Sequence, residues 1–170
     1  MLLSLGVFLL MLALWGTWTG YVRVEQTRST IQQVVTHGLA AGAITPVSQG
    51  GGYVTETYGG SQVPQLNLGG VIDSAATIAQ DTVPQSQTVA NDTGYTWTLS
   101  AADQPRWDVA GPIQVENVQL TSQAPYQLQA TVTAPMRVSL WGVVTIPATL
   151  HLDVVVPIAG QQAPAQFQSY

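Results

Sequence analysis

Few residues in this sequence have types and spacings that could do chemistry. Asp92-Thr93-Gly94 matches the triplet that carries the catalytic carboxylate of aspartic proteases. That chemistry needs two such aspartates face to face in an apolar β framework, and the sequence holds one copy. We therefore interpret the triplet as a turn in which Gly94 supplies a positive φ. Asn91 begins a glycosylation sequon at the same place, so it is a candidate glycan site in a glycosylating host.

The histidines His37 and His151 are the candidates for metal chemistry. A site would need both of them to meet a carboxylate such as Asp153. The pattern places His37 on a helix and His151 on the polar side of a strand, so we expect no metal site. The sequence has no cysteine, which excludes disulfides and thiolate chemistry. The nine acidic residues form no readable nucleophile–base pair, so we predict neither an enzyme nor a cofactor.

The composition favours a membrane-associated, extracellular protein. Charged residues make up 8% of the 170 residues, against about a quarter in soluble domains. Residues 29–170 carry eight acidic residues and two Arg, which argues against a nucleic-acid partner. The surface must be built from Gln, Thr, Ser, Asn and Gly, which suits an extracellular face or an acidic medium, where carboxylates are partly protonated.

Residues 1–22 contain no charge and predict a helix of roughly 33 Å, about the thickness of a bilayer core. Trp15, Trp18 and Tyr21 share one face near its end, where the aromatic belt of a membrane interface lies. Arg23 follows at the level of the headgroups. A cleavable signal peptide is disfavoured by the missing basic n-region and small-residue cleavage site. A plain single-pass anchor remains an alternative.

The helix is predicted to continue as an amphipathic part over residues 23–43. This stretch has no proline, and Val24, Ile31, Val35 and Gly38 lie on one stripe. Gly42 and Pro46 predict its end. A helix that serves only as a membrane anchor does not need this amphipathic part.

Two small-xxx-small steps lie on the same helix and would let helix backbones approach closely. We predict that they pack helices of neighbouring subunits together. The four residues are Gly16, Gly20, Gly38 and Gly42.

Residues 44–94 form a glycine-rich connecting region. "YVTETY" within it predicts a short strand or hairpin arm. "DSAATIAQDTV" predicts a short helix with Asp73 as N-cap and Pro84 beyond its end.

From residue 95 to residue 157 the hydrophobic period becomes two, which predicts an antiparallel sheet of three to five strands. "IQVENVQL" suggests a bulge after Val115, Trp141-Gly142 a turn, and Pro147 an edge strand. Residues 158–170 are a tail. We predict that two strands each turn one face inward. The inward residues are Leu128, Ala130 and Val132 on one strand and Ile146, Ala148, Leu150, Leu152 and Val154 on the other.

The apolar face of this sheet needs a cover, and the amphipathic helix is the obvious one. Ile31 and Val35 are expected to pack against the sheet, giving an α+β fold. Their expected partners are Leu128, Val132, Leu150 and Leu152.

A leading apolar helix that continues as an amphipathic helix and is followed by a small antiparallel sheet resembles type IV pilins and pseudopilins, including the TadE-like tight-adherence group. Met1 fits the hydrophobic residue at which mature pilins begin. Leu5 and Val22 stand where pilins usually carry Glu and Pro. The resemblance is strongest over residues 1–43.

The resemblance implies a structural subunit of a pilus-like filament for surface attachment or a related role. Its partners would be copies of itself, the membrane before assembly and the pilus assembly machinery. The alternative is a single-pass membrane-anchored extracytoplasmic β module that serves as an assembly accessory or binding protein. Arg23 and Arg28 would draw the C-terminal side inward, whereas the neutral surface favours the outside. We therefore expect a cell-surface location with a membrane-inserted precursor.

Overall fold

Two helices, a short 3-10 turn, a two-stranded β-hairpin and a five-stranded sheet make up the described part of the chain in the computed structural model. It describes residues 2–58, 61–121, 126–140 and 144–158. In chain order the elements are α1 (Leu2–Ile44), a 3-10 turn (Val47–Gln49), β1 (Tyr53–Tyr58), β2 (Ser61–Leu66), α2 (Leu68–Thr82), β3 (Gln87–Asn91), β4 (Gly94–Thr98), β5 (Ile113–Leu120), β6 (Gln127–Leu140) and β7 (Val144–Pro157).

The predicted continuous helix is present as α1, which runs from Leu2 to Ile44. Glu25 and Arg28 form the expected i,i+3 ion pair on its surface, with 3.5 Å between the charged atoms. Pro46 cannot continue the helix, and Gly50 turns the chain with a φ of 83°. The membrane part and the amphipathic part are therefore one rigid element.

The second helix begins earlier than the sequence predicted. Asn67 is the N-cap of α2, and its side-chain oxygen accepts a hydrogen bond from the Gly70 N–H at 3.4 Å. Asp73, the predicted N-cap, lies inside the helix, whereas Pro84 lies beyond its end as predicted. The error arose because Gly69-Gly70 looks like a turn, although these two residues form the first turn of the helix.

The sheet begins at Gln87 rather than at residue 95, because β3 belongs to it. In the described residues its order is β3-β4-β5-β6-β7, and every neighbouring pair is antiparallel. β1 and β2 form a separate hairpin. The predicted phase shift in β5 is confirmed, since the register changes between Glu116 and Gln119.

Gly94 was assigned a wrong role. The described glycine with positive φ is Gly50, so Gly94 does not supply it. A side chain at Gly94 would collide with the backbone carbonyl of Val115 on β5. The position therefore needs glycine for close approach of two strands.

The β6–β7 hairpin is longer than the hydrophobic core. β7 is an edge strand, as Pro147 predicted, and Leu152 and Val154 on its inner face are buried. Ile146 and Ala148 lie on the same face but are exposed, which corrects their assignment to the core. The predicted turn at Trp141-Gly142 lies outside the described residues.

Both described helices cover the sheet, whereas the sequence predicted α1 alone. Ile31 and Val35 are fully buried, in one hydrophobic cluster with the sheet residues expected to receive them. Those residues are Leu128, Val132, Leu152 and the partly buried Leu150. α2 contributes Val71, Ile72, Ala75 and Ala79 to the same cluster.

Gly38 and Gly42 pack α1 against α2 of the same chain, and not against another subunit as expected. A Cβ at Gly38 would lie 3.1 Å from the Cα of Ala75. A Cβ at Gly42 would lie 2.8 Å from the carbonyl oxygen of Val71. The two glycines therefore allow the helix backbones to touch.

Candidate functional site

The first part of α1 stands free of the folded module. Residues 6–8 and 10–15 are exposed, with exposed fractions of 60% at Phe8 and 67% at Trp15. A helix that is apolar on all sides is stable only in a membrane or within a bundle of helices. In length and composition, α1 is able to cross a membrane.

The predicted aromatic belt lies on one exposed face of α1. Trp15, Trp18 and Tyr21 are each about two-thirds exposed, and the Trp18 and Tyr21 rings are 6.4 Å apart. With Phe8 and Met11 they line an apolar groove of about 880 Å³. Such a surface suits the boundary between hydrocarbon and headgroups.

Gly16 and Gly20 lie on a different face, which is buried. The same stripe continues through Thr27 and Ile31 to Val35, at steps of about one or two helix turns. From Thr27 onward the stripe is part of the module's buried surface. The packing of Gly16 and Gly20 against neighbouring subunits stays a prediction.

Arginines gather where α1 meets the module. Two cavities, of about 430 and 410 Å³, share Arg23 as a wall residue. The first cavity is lined by Arg23, Gln26, Thr27, Thr30, Pro105, Arg106, Trp107 and Asp108. The second is lined by Arg23, Ala101, Gln104, Pro105, Asp108, Val109, Arg137, Ser139 and Thr145. We call Arg23, Arg106 and Arg137 the arginine collar.

The turn segment 100–109 between β4 and β5 builds the middle of the collar. The Ser100 hydroxyl donates to the Asp103 carboxylate at 2.6 Å and accepts from the Asp103 N–H at 3.2 Å. Trp107 packs edge-on against the buried Trp97, with ring centroids 5.4 Å apart. These contacts hold the segment against the sheet.

Backbone hydrogen bonds fix the same segment to β6. The Arg137 N–H donates to the Asp108 carbonyl at 2.6 Å, and the Ala110 N–H donates to the Pro135 carbonyl at 2.7 Å. Asp108 itself has a left-handed backbone with a φ of 50°, which Asp tolerates better than most residues. The backbone of the segment that carries Arg106 is therefore fixed against β6, which carries Arg137.

Two carboxylates accompany the collar. The Asp103 carboxylate oxygen Oδ1 lies 3.7 Å from the Arg106 guanidinium nitrogen Nη1. Burial raises the pKa of the Asp108 carboxyl, and the charge of Arg23 counteracts part of that rise. The sequence analysis missed the collar because its members are far apart along the chain. The one available signal was that all four basic residues are Arg.

The other candidate residues do not come together into a site. Asn91 is exposed in the β3–β4 turn, where its side-chain oxygen accepts from the Thr93 N–H at 3.0 Å. His37 is exposed on α1, and His151 Nδ1 lies 3.3 Å from the Thr133 hydroxyl. Within the described residues no group of three His, Asp or Glu side chains could hold a metal.

Comparison with protein families, with characterised proteins and with solved structures finds no match to this chain.

Proposed function

We propose that this protein is the structural subunit of an extracellular, type IV pilus-like filament. It is held in a membrane by the first part of α1 and then polymerises through that helix. The observation that supports this most is the helix itself. Residues 6–8 and 10–15 are apolar and exposed, and they continue without a break into the helix that forms the core of the module.

The apolar surface of that helix needs a cover. Burial of apolar surface is worth about 25 cal/mol per Å² relative to water, so the helix needs lipid or other helices around it. Transfer of the helix from lipid to a bundle of identical helices gains little free energy, because lipid tails are as apolar as Leu. Close packing of neighbouring helices must therefore stabilise a filament against the membrane-inserted state.

The decisive test combines microscopy with a packing variant. Negative-stain microscopy of sheared cell-surface material should show filaments of the wild-type chain. Gly6 is exposed, and a Cβ there has no atom within 4 Å. Gly6→Leu should keep membrane insertion, because lipid accepts Leu, but should strongly reduce filaments by blocking close helix approach.

Val7→Leu is the matched control, since it adds one methylene at the next position and should leave filaments unchanged. Filaments at wild-type yield in Gly6→Leu would contradict helix packing at that position. Membrane-anchored wild-type monomers without any filaments would contradict the proposal as a whole.

A second candidate function is a membrane-anchored extracytoplasmic module that acts as an assembly accessory or binding protein. One specific observation favours it. Arg23, which directly follows the charge-free run, lines two cavities with Pro105 and Asp108 of the module, so the module lies close against the end of the membrane part. A module held at the membrane surface needs that arrangement, whereas a filament subunit needs a free helix.

A further inference from the structure

The end of the β6–β7 hairpin lies at the depth where α1 leaves the membrane. Ser139 and Thr145 face each other across the hairpin, and both line a cavity with Arg23. The next pair, Leu140 and Val144, lies one residue further along the hairpin, at a distance of about 3.3 Å. Gly20, one turn before Arg23 on α1, is buried at this level.

The position of the membrane boundary follows from α1. Aromatic belts lie at the headgroup level, and Tyr21 is the last belt residue. Arg23 is two residues later, or about 3 Å along the helix, and is the first charged residue of the sequence. Arg23 therefore lies in the headgroup layer, and the hairpin end beside it lies there as well.

The inner face of β7 continues past the core without a cover. Leu152 and Val154 on this face are buried, but Ile146 is 44% exposed and Val144 is 46% exposed. Large exposed apolar side chains at the end of a hairpin have no benefit in water. At the boundary of a bilayer they are covered by lipid, in continuity with the belt of α1.

The charges at this end of the module suit an anionic surface. The collar and its two carboxylates bring three Arg and two Asp together, whereas the rest of the sequence carries one Arg and seven acidic residues. The Arg106 side chain is 80% exposed, so its guanidinium is available. Guanidinium groups bind phosphates with two parallel hydrogen bonds.

We infer that the arginine collar and the β6–β7 hairpin end form a second membrane contact, whose ligand is the headgroup layer of anionic phospholipids. This inference rests on the membrane-inserted stage of the proposed function. The module would then be held at the bilayer surface by this end in a fixed orientation, instead of moving freely on its anchor.

The depth of the hairpin end can be measured by spin labelling of the full chain, which has no cysteine of its own. Ile146→Cys, Leu10→Cys and Val89→Cys would each carry one label in phosphatidylcholine–phosphatidylglycerol nanodiscs. Val89 is a matched control, because it is 69% exposed on β3 at the other edge of the sheet. Oxygen and nickel-chelate accessibility then report the depth of each label.

The Ile146 label should be shielded from nickel chelate to a degree between that of the Leu10 label in hydrocarbon and that of the Val89 label in water. An Ile146 label as accessible as the Val89 label, with the Leu10 label in hydrocarbon, would overturn this inference and leave the proposed function intact. A Leu10 label outside the hydrocarbon would overturn both.

The headgroup preference is tested with spin-labelled lipids around the unlabelled chain. The wild type should restrict phosphatidylglycerol more than phosphatidylcholine, because a basic residue near an anionic surface contributes about five-fold in association. Arg23→Gln and Arg106→Gln should each lower that preference several-fold. Arg106→Gln cannot fail through misfolding of a buried site, since its side chain is exposed.

Arg28→Gln is the matched control for charge. Arg28 lies on the same helix, but it pairs with Glu25 and lines neither cavity. The Arg28→Gln variant should keep most of the wild-type preference for phosphatidylglycerol. Equal preference in wild type and both collar variants, or an equal loss in Arg28→Gln, would overturn the role of the collar.

Discussion

Gly42→Ala should destabilise the folded module, because the new methyl group has no room between the two helices. The Cβ would lie 2.8 Å from the Val71 carbonyl oxygen and 3.1 Å from the Val71 Cα. Favourable contacts between such atoms need about 3.5 Å or more. Both neighbours are backbone atoms of α2, so the helices themselves must move apart.

The expected size follows from two opposing effects. Overpacking of a tight contact costs about 1–3 kcal/mol, and the Val71 contacts put Gly42 at the upper end of that range. The replacement of Gly by Ala inside a helix stabilises the helix by about 1 kcal/mol. The free energy of unfolding should therefore fall by about 1–2 kcal/mol. Gly38→Ala should destabilise the module less than Gly42→Ala, because a Cβ at Gly38 would lie 3.1–3.3 Å from its nearest atoms in Ala75, whereas the shortest distance at Gly42 is 2.8 Å.

The assay is denaturant unfolding of the full chain as a monomer in detergent, followed by near-ultraviolet circular dichroism. Gly6→Ala is the control, since a Cβ there has no atom within 4 Å and should leave unfolding of the module unchanged. A Gly42→Ala monomer as stable as the wild type would refute the packing argument. If that variant lost only filament assembly, Gly42 would pack between subunits after all.

Three further substitutions test the core and the collar. In a denaturant titration, Ile31→Ala should lower the free energy of unfolding by roughly 2–4 kcal/mol, because Ile31 is fully buried. Gln32→Ala, on the exposed side of α1, is the control and should change the free energy of unfolding by less than about 0.5 kcal/mol. Tyr95→Phe should raise the free energy of unfolding at the melting temperature by about 1 kcal/mol. The reason is that, in the described part of the chain, the buried Tyr95 hydroxyl has no hydrogen-bond partner. A lower melting temperature of the variant would reveal that the hydroxyl has a partner. Asp108→Asn should stabilise the protein at neutral pH, because the raised pKa of Asp108 means that folding disfavours its charged form. That gain in stability should disappear below about pH 4, where the carboxyl is protonated in both the folded and the unfolded state. If urea titrations at neutral pH and below pH 4 gave the same gain, the charge of Asp108 would not be the cause.

Local pattern was enough to predict the elements whose signals are continuous in sequence. α1 is one helix because a charge-free run is followed by an amphipathic run without proline, and both parts share the period of a helix. The strict alternation around Leu128 and Leu150 predicted two strands of the antiparallel sheet, and Pro147 predicted that one of them is an edge strand.

Short elements that depend on glycine were predicted less well. A glycine pair reads as a turn in sequence, but at Gly70 it lies in the first turn of α2 and allows close approach to Gly51. Gly94 has the same kind of role beside β5. Sequence reveals that a side chain is missing, whereas the neighbour that requires its absence is known only after the chain has folded.

By itself, the sequence determined the apolar helix, its aromatic belt and the α+β class, because each depends on periodicity within a continuous segment. Only the tertiary structure decided that Gly38 and Gly42 face α2 of their own chain, since a small-residue stripe packs equally well against any helix or strand. Tertiary structure alone also brought Arg23, Arg106 and Arg137 to one end of the module. Charges that are far apart along a chain meet only through the packing of the elements that carry them.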